Sequence, residues 1–232
     1  TKLLTLQGST PFTDNSGTSK TITVNGNIFT EIGGIITANG DVAATNFNPF
    51  NTDINTVRGQ ESGYCTLNPL FRGATAATYS NGNLSCNTGA ANGHVRGNIG
   101  ITTGKYYFEA VGTSNVTSAG LIVGIVQELS IPTYNIGADS LGYGYFIDGR
   151  KANGGYSSYG ASFTTGDTIG VAFDATNGEL TFYKNGVSQG VAFTGLFSNP
   201  YFPAVSDTTS STGVGFDINF GQKPFKFPPP DG

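Results

Sequence analysis

Two Asn-Gly pairs, Asn177-Gly178 and Asn185-Gly186, sit between runs that alternate apolar and polar residues, and nothing else restricts this 232-residue chain so tightly. A two-residue hairpin turn needs positive φ at its centre, which Asn and Gly tolerate better than other residues. The flanking runs Thr168–Asp174, Glu179–Lys184 and Ser188–Phe193 are therefore expected to form a three-stranded antiparallel meander. The same alternation predicts strands at Lys105–Val111, Gly142–Ile147, Tyr201–Val205 and Gly215–Phe220, and weaker ones at Tyr64–Leu67 and Gly82–Cys86. Ala119–Val126 is almost continuously apolar, as a strand buried on both faces would be. No window carries the i, i+3, i+4, i+7 spacing of a helix with caps. Many short strands with turn signals between them indicate an all-β, antiparallel two-sheet β-sandwich. The 35 glycines suit the turns, and 17 Phe with 11 Tyr supply the core volume.

The texture changes along the chain. Residues 1–43 read as a small β-rich extension, with strands at Lys2–Leu6, Lys20–Val24, Asn27–Ile32 and Ile35–Thr37, and a hairpin about Asn25-Gly26. So small a unit buries no core of its own, so it is expected to attach to the main domain or to a neighbouring subunit of a homo-oligomer. Residues 44–63, broken by Pro49, read as an irregular connector, and 64–232 as the sandwich. The prolines ending Lys223–Pro230 cannot donate ladder hydrogen bonds and close the last sheet edge.

Composition excludes several function classes. With 11 basic against 15 acidic residues and no basic cluster beyond Arg150-Lys151, nucleic acid is not an expected partner. No apolar run approaches the roughly 18 residues of a membrane-spanning helix, so no membrane insertion is expected. Cys65 and Cys86 are too few for a disulfide framework; they read as free thiols in a reducing compartment, with a bridge between them left open should their segments pair as strands. His94 is the single histidine and reads as a surface loop residue, which leaves neither a zinc site nor a Ser-His-Asp triad. Glu31, Glu61, Glu109, Glu128 and Glu179 show no paired arrangement for glycoside hydrolysis, and Glu109 and Glu179 are expected to face solvent. Asp139, Asp148, Asp167 and Asp174 border turns, where Asp serves turn geometry rather than calcium. The reading is non-enzymatic, with no catalytic residue, no metal and no cofactor.

The strands beyond Tyr64 resemble the SPRY domain. The likeness rests on Gly104–Glu109, Gly120–Ile125, Tyr143-Gly144-Tyr145 leading to Asp148–Lys151, and Thr165–Asp174. It continues through Gly178–Gly186, Gly190–Phe193, Tyr201–Val205 and Asn219-Phe220-Gly221. It implies a concanavalin-like jelly roll, here with Tyr107 where an aromatic such as Trp is common. Leu3-Leu4 with Gly8–Gly17, and Phe47–Glu61, look like parts of tailed-phage structural proteins. Together these imply a virion structural protein, a bacteriophage tail fibre, spike or head-decoration subunit. It would be made in the host cytoplasm and displayed on the virion surface, held to other virion proteins by its N-terminal segment. The alternative is a cellular SPRY module that binds a short peptide of a partner protein. A glycan-degrading enzyme on the concanavalin-like fold is the third.

The candidate recognition residues are Tyr134, Asp148, Arg150, Lys151, Asn153, Tyr156 and Tyr159. Tyr, Ser, Gly and Asn with an occasional Arg compose adaptable binding loops. Asp148–Tyr159 is read as one loop at a hairpin tip, offering charge and aromatic faces to a host-surface glycan or protein.

Overall fold

In the computed structural model the chain divides into two compact units, residues 1–63 and 64–232. The structure describes residues 65–71, 77–89, 93–116, 120–197, 199–208 and 213–230, with the backbone of four short strands before them. In the first unit β1 (Leu6–Gln7) pairs with β2 (Thr13–Asp14), and β3 (Asn27–Thr30) with β4 (Ile36–Asn39). Turn signals flank β3 on both sides in the sequence, and the pairing found is with the strand that follows it, Thr30 opposite Ile36. Residues 20–24 and the connector 44–63 lie outside the described residues.

The second unit is a two-sheet antiparallel sandwich. Its strands are β5 (Thr78–Ser80), β6 (Ser85–Asn87), β7 (Gly93–Arg96), β8 (Lys105–Ser114), β9 (Ile122–Gln127), β10 (Gly142–Phe146) and β11 (Arg150–Ala152). They continue with β12 (Tyr156–Ser158), β13 (Thr168–Asp174), β14 (Glu179–Lys184), β15 (Val187–Phe193), β16 (Tyr201–Asp207) and β17 (Gly215–Asn219). Among the described residues one sheet has six strands in the order β12-β11-β10-β9-β16-β7; the other has seven, β15-β14-β13-β8-β17-β6-β5.

The expected meander is present as β13, β14 and β15. Its second turn is the two-residue type: Asn185 and Gly186 have φ of 49° and 80°, and Lys184 faces Val187. Its first turn is longer, because Asp174 pairs with Glu179 and leaves four residues between them. There the Asp174 carboxylate accepts the backbone N–H groups of Thr176 and Asn177 at 3.0 and 2.9 Å.

Inward side chains of both sheets form one core. Phe108, Phe173, Phe182 and Phe216 from the seven-stranded sheet meet Val123, Ile125, Tyr145 and Tyr201 from the other, all buried. Tyr145 and Phe182 lie 5.4 Å apart, and Phe173 meets Tyr201 edge-on at 5.2 Å. The Tyr145 hydroxyl donates to the Ala161 carbonyl, so the polar tip of this core aromatic has its partner.

Two residues lie where their sequence context did not place them. His94 is on β7, 1% exposed, because Gly93–Arg96 pairs with β16 rather than looping over the surface. Glu109 is 3% exposed despite its place on the outer face of β8, because the C-terminal tail crosses it.

Candidate functional site

Alternation along the six-stranded sheet sends Val123, Ile125, Tyr143 and Tyr145 to the core and turns Ile122, Val126, Phe146, Phe202 and Ala204 outward. The outer face also carries Gly124, Gly144 and Ala152, which face one another in register. These small residues leave a trough. A Cβ at Gly144 would lie 2.4 Å from Ile122 Cγ2 and 2.9 Å from Ile136 Cγ2, so only glycine leaves Ile136 room.

The segment 128–141, between β9 and β10, fills that trough with Ile136, which is 1% exposed. Polar anchors hold it down. The Ile136 N–H donates to Ser206 Oγ at 3.0 Å, and the His94 N–H donates to the Pro132 carbonyl at 3.1 Å. His94 Nδ1 lies 2.8 Å from the Tyr134 carbonyl oxygen, which only accepts, so Nδ1 carries the proton. Asp139 accepts the N–H of Leu141 at 3.0 Å and the hydroxyl of Ser130 at 3.3 Å. The segment thus buries one face and displays Leu129, Ile131 and Tyr134, the last 48% exposed.

Beside it lies the β11–β12 hairpin. The stretch expected as a loop over 148–159 is two short edge strands, and their alternation divides the candidate residues between two faces. Arg150 and Tyr156 point outward: the guanidinium carbon is 4.5 Å from the Tyr156 ring and 5.3 Å from Phe146. Asp148 Oδ2 accepts from Arg150 Nε at 2.7 Å and orients the guanidinium. The Tyr156 hydroxyl accepts from Asn135 Nδ2 at 3.0 Å, which ties the hairpin to the residue next to Tyr134. Tyr134, Asn135, Asp148, Arg150 and Tyr156 therefore share one surface.

Lys151, Asn153 and Tyr159 do not join them. Lys151 is opposite Tyr145, on the inner side, and its Nζ donates to the Ala192 carbonyl at 2.6 Å. The Tyr159 hydroxyl donates to the Gly190 carbonyl at 2.5 Å and accepts the Phe182 N–H at 3.2 Å. Burial pushes the Tyr159 phenol up to about 12. Both side chains clip this edge to β14 and β15 of the opposite sheet. Asn153 Nδ2 donates to the carbonyls of Ser140 and Gly142 at 3.0 and 2.9 Å, which fixes the end of the covering segment.

Sequence reasoning missed Leu129, Ile131 and Asn135, whose segment has no period of its own. It also missed Arg96, which lies between Phe71 and Phe202 with its guanidinium carbon 3.7 and 4.2 Å from the rings. Arg96 Nη1 donates to the Glu128 carbonyl at 3.0 Å, one more anchor of the cover. Asp139, Asp148, Asp167 and Asp174 each accept a backbone N–H within a turn, as their positions implied.

The family model for the SPRY domain matches residues 105–223, from β8 past β17. The chain belongs to the SPRY family. Its SPRY sandwich is similar over 68% of this chain and 99% of the other to the SPRY domain of human HERC1, with a TM-score of 0.58 and 23% identity. ATP-dependent RNA helicase DDX1 of Xenopus laevis is 33% identical over 168 residues, covering 72% of this chain and 22% of that protein. E3 ubiquitin-protein ligase RKP of Arabidopsis thaliana is 37% identical over 142 residues, covering 57% and 10%. The Ran-binding proteins 9/10 homolog of Drosophila melanogaster is 36% identical over 132 residues, covering 56% and 13%. The chain thus spans about a fifth or less of the length of these curated relatives. They are eukaryotic proteins and bring no link to tailed phages, so the context inferred from Phe47–Glu61 finds no support in them. Those residues lie outside the described ones.

Proposed function

We propose that this SPRY domain is a non-catalytic recognition module that binds a short peptide segment of a partner protein. The contact would lie on the covered face of the six-stranded sheet, at Ile131, Tyr134, Arg150 and Tyr156. One observation carries the reading: exposed aromatic and aliphatic side chains stand beside an oriented guanidinium on a segment anchored to the sheet beneath. Tyr and Arg in such surroundings dominate binding energies at interfaces, and an anchored segment loses little entropy on binding. The eukaryotic relatives favour this cellular reading over a virion subunit. Glu109 is engaged with two backbone N–H groups, which speaks against its service as a glycosidase acid or base.

Selection of random displayed peptides on the immobilised domain tests this. Tyr134→Ala with Tyr156→Ala should weaken the selected peptides at least about tenfold while the sandwich stays folded, shown by a cooperative thermal melt. Peptides that bind the double variant as well as the parent would place recognition elsewhere.

A further inference from the structure

The outer face of the seven-stranded sheet carries a second surface, on the other sheet from the one above. Tyr107 of β8 faces Ala172 of β13, which faces Thr181 of β14, with Tyr183 on the same side two residues along. These side chains line a groove of about 370 Å³, and Pro229 and Pro230 of the chain's own tail form part of its wall. The volume lies within the roughly 300–1,000 Å³ of ligand-binding clefts. Tyr107 and Tyr183 meet edge-on with ring centroids 6.4 Å apart. Beneath them, a Cβ at Gly170 would lie 2.3 Å from the Tyr107 hydroxyl, so glycine lets that ring lie flat on the sheet.

The tail reaches the groove by a defined route. Asn219 Nδ2 donates to the carbonyls of Lys223 and Pro224 at 3.2 and 3.1 Å. The Phe225 ring meets Tyr107 edge-on at 4.9 Å. The buried Glu109 carboxylate then accepts the N–H groups of Lys226 and Phe227, each at 2.9 Å. Beyond Phe227 come Pro228, Pro229 and Pro230, which have fixed φ and no N–H to satisfy. Such a run favours the polyproline II helix, whose carbonyls and ring faces are its only means of contact.

We propose that this tyrosine-lined groove receives a proline-rich segment of a partner protein, with the chain's own Pro229 and Pro230 as a built-in competitor. Polyproline II segments dock in aromatic-lined grooves because the helix is preformed and its rings pack on flat aromatic faces. Pro229 and Pro230 lie against this surface as part of its lining, so a partner's prolines must displace or share the place they take. Of the charges lining it, Lys105 faces Asp174 in register, while Glu179 stands exposed with no ion-pair partner among the described residues, so a Lys or Arg flanking the prolines fits beside Glu179.

The test is a titration of the isotope-labelled full chain with a synthetic peptide of consecutive prolines led by Arg, followed by amide NMR. Shifts are expected at Ala172, Thr181 and Tyr183, without shifts along the 128–141 segment. Pro229→Gly with Pro230→Gly should tighten binding at least about twofold by removing the competitor. Tyr183→Ala should weaken it about tenfold, with the spectrum of β7 and β16 unchanged as the control for folding. Tyr134→Ala should leave it unaffected, which separates this site from the peptide surface proposed above. The proposal falls if neither the parent nor the double-glycine variant shows those shifts, or if Tyr183→Ala binds equally well. It falls too if the parent dimerises by exchanging tails and the double-glycine variant does not, since the occupant is then a second copy.

Discussion

Glu109→Gln offers the sharpest test of how the C-terminal tail is held. The carboxylate lies 3% exposed and accepts two successive backbone N–H groups, Lys226 and Phe227, both at 2.9 Å. Glutamine keeps the shape but has one acceptor oxygen, and its NH₂ confronts the second backbone donor. One charge-assisted bond is lost, worth about 1.5–3 kcal/mol, and the other becomes neutral, a further loss of about 1 kcal/mol. The total near 3 kcal/mol raises the open fraction of the tail about 100-fold. Hydrogen exchange of the Lys226 and Phe227 amides should accelerate by that factor, up to the rate of an unprotected amide. The main urea transition should move little, because Phe108 and Ala110 on the opposite face of β8 stay packed. Unchanged exchange at both amides would refute the clip. A large loss of global stability without faster tail exchange would show that Glu109 belongs to the cooperative core instead.

Burial holds the pKa of His94 below its ordinary value, with Asp139 opposing and Arg96 reinforcing that shift. The unfolded chain therefore takes up a proton first, and stability should fall as pH drops below about 6.5, by up to about 1.4 kcal/mol per pH unit until the folded imidazole titrates. His94 is the single histidine, so His94→Gln should flatten that limb in urea unfolding measured between about pH 6.5 and 5. Burial pushes the Cys86 thiol up to about 12 and raises Cys65 as well. In a timed assay with a thiol reagent, Cys86 should react only as the domain unfolds, and Cys65 before it. Gly144→Val should overpack the trough at Ile122 and Ile136, costing about 1–3 kcal/mol in a thermal melt and lowering affinity for any peptide bound through Tyr134.

What was legible in the sequence was whatever is local. Asn185-Gly186 sets its own turn, and the alternation in Thr168–Asp174 and Glu179–Lys184 follows from each strand burying one face, so the meander needed no tertiary information. Strands of three or four residues, such as Gly93–Arg96 and Arg150–Ala152, are too short to show a period and exist because a longer neighbour pairs with them. That is why His94 read as a loop residue and 148–159 as one loop. The aromatic cluster was found, but its division was not. A one-residue difference in a strand decides which face a side chain takes, and so Lys151 turned inward beside the outward Arg150. Glu109 was misjudged because its partner lies more than a hundred residues away, in the tail.

The division of labour between sheets and covers has a physical basis. Each sheet buries its inner face against the other, and what remains outside is governed by single segments: 128–141 over one face and 223–230 over the other. Each cover combines an apolar anchor with polar ones. The first rests on Ile136 together with Ser206, His94 and Asn153; the second on Phe225 together with Glu109 and Asn219. Polar anchors of this kind contribute about 1 kcal/mol each, more where charged, so a cover can open without unfolding the sandwich beneath it. The core can then stay constant while the covers change in sequence and in what they bind. Within this chain, recognition is therefore expected where a cover meets a sheet edge, as Tyr134 meets Tyr156 and as the prolines meet Tyr107 and Tyr183.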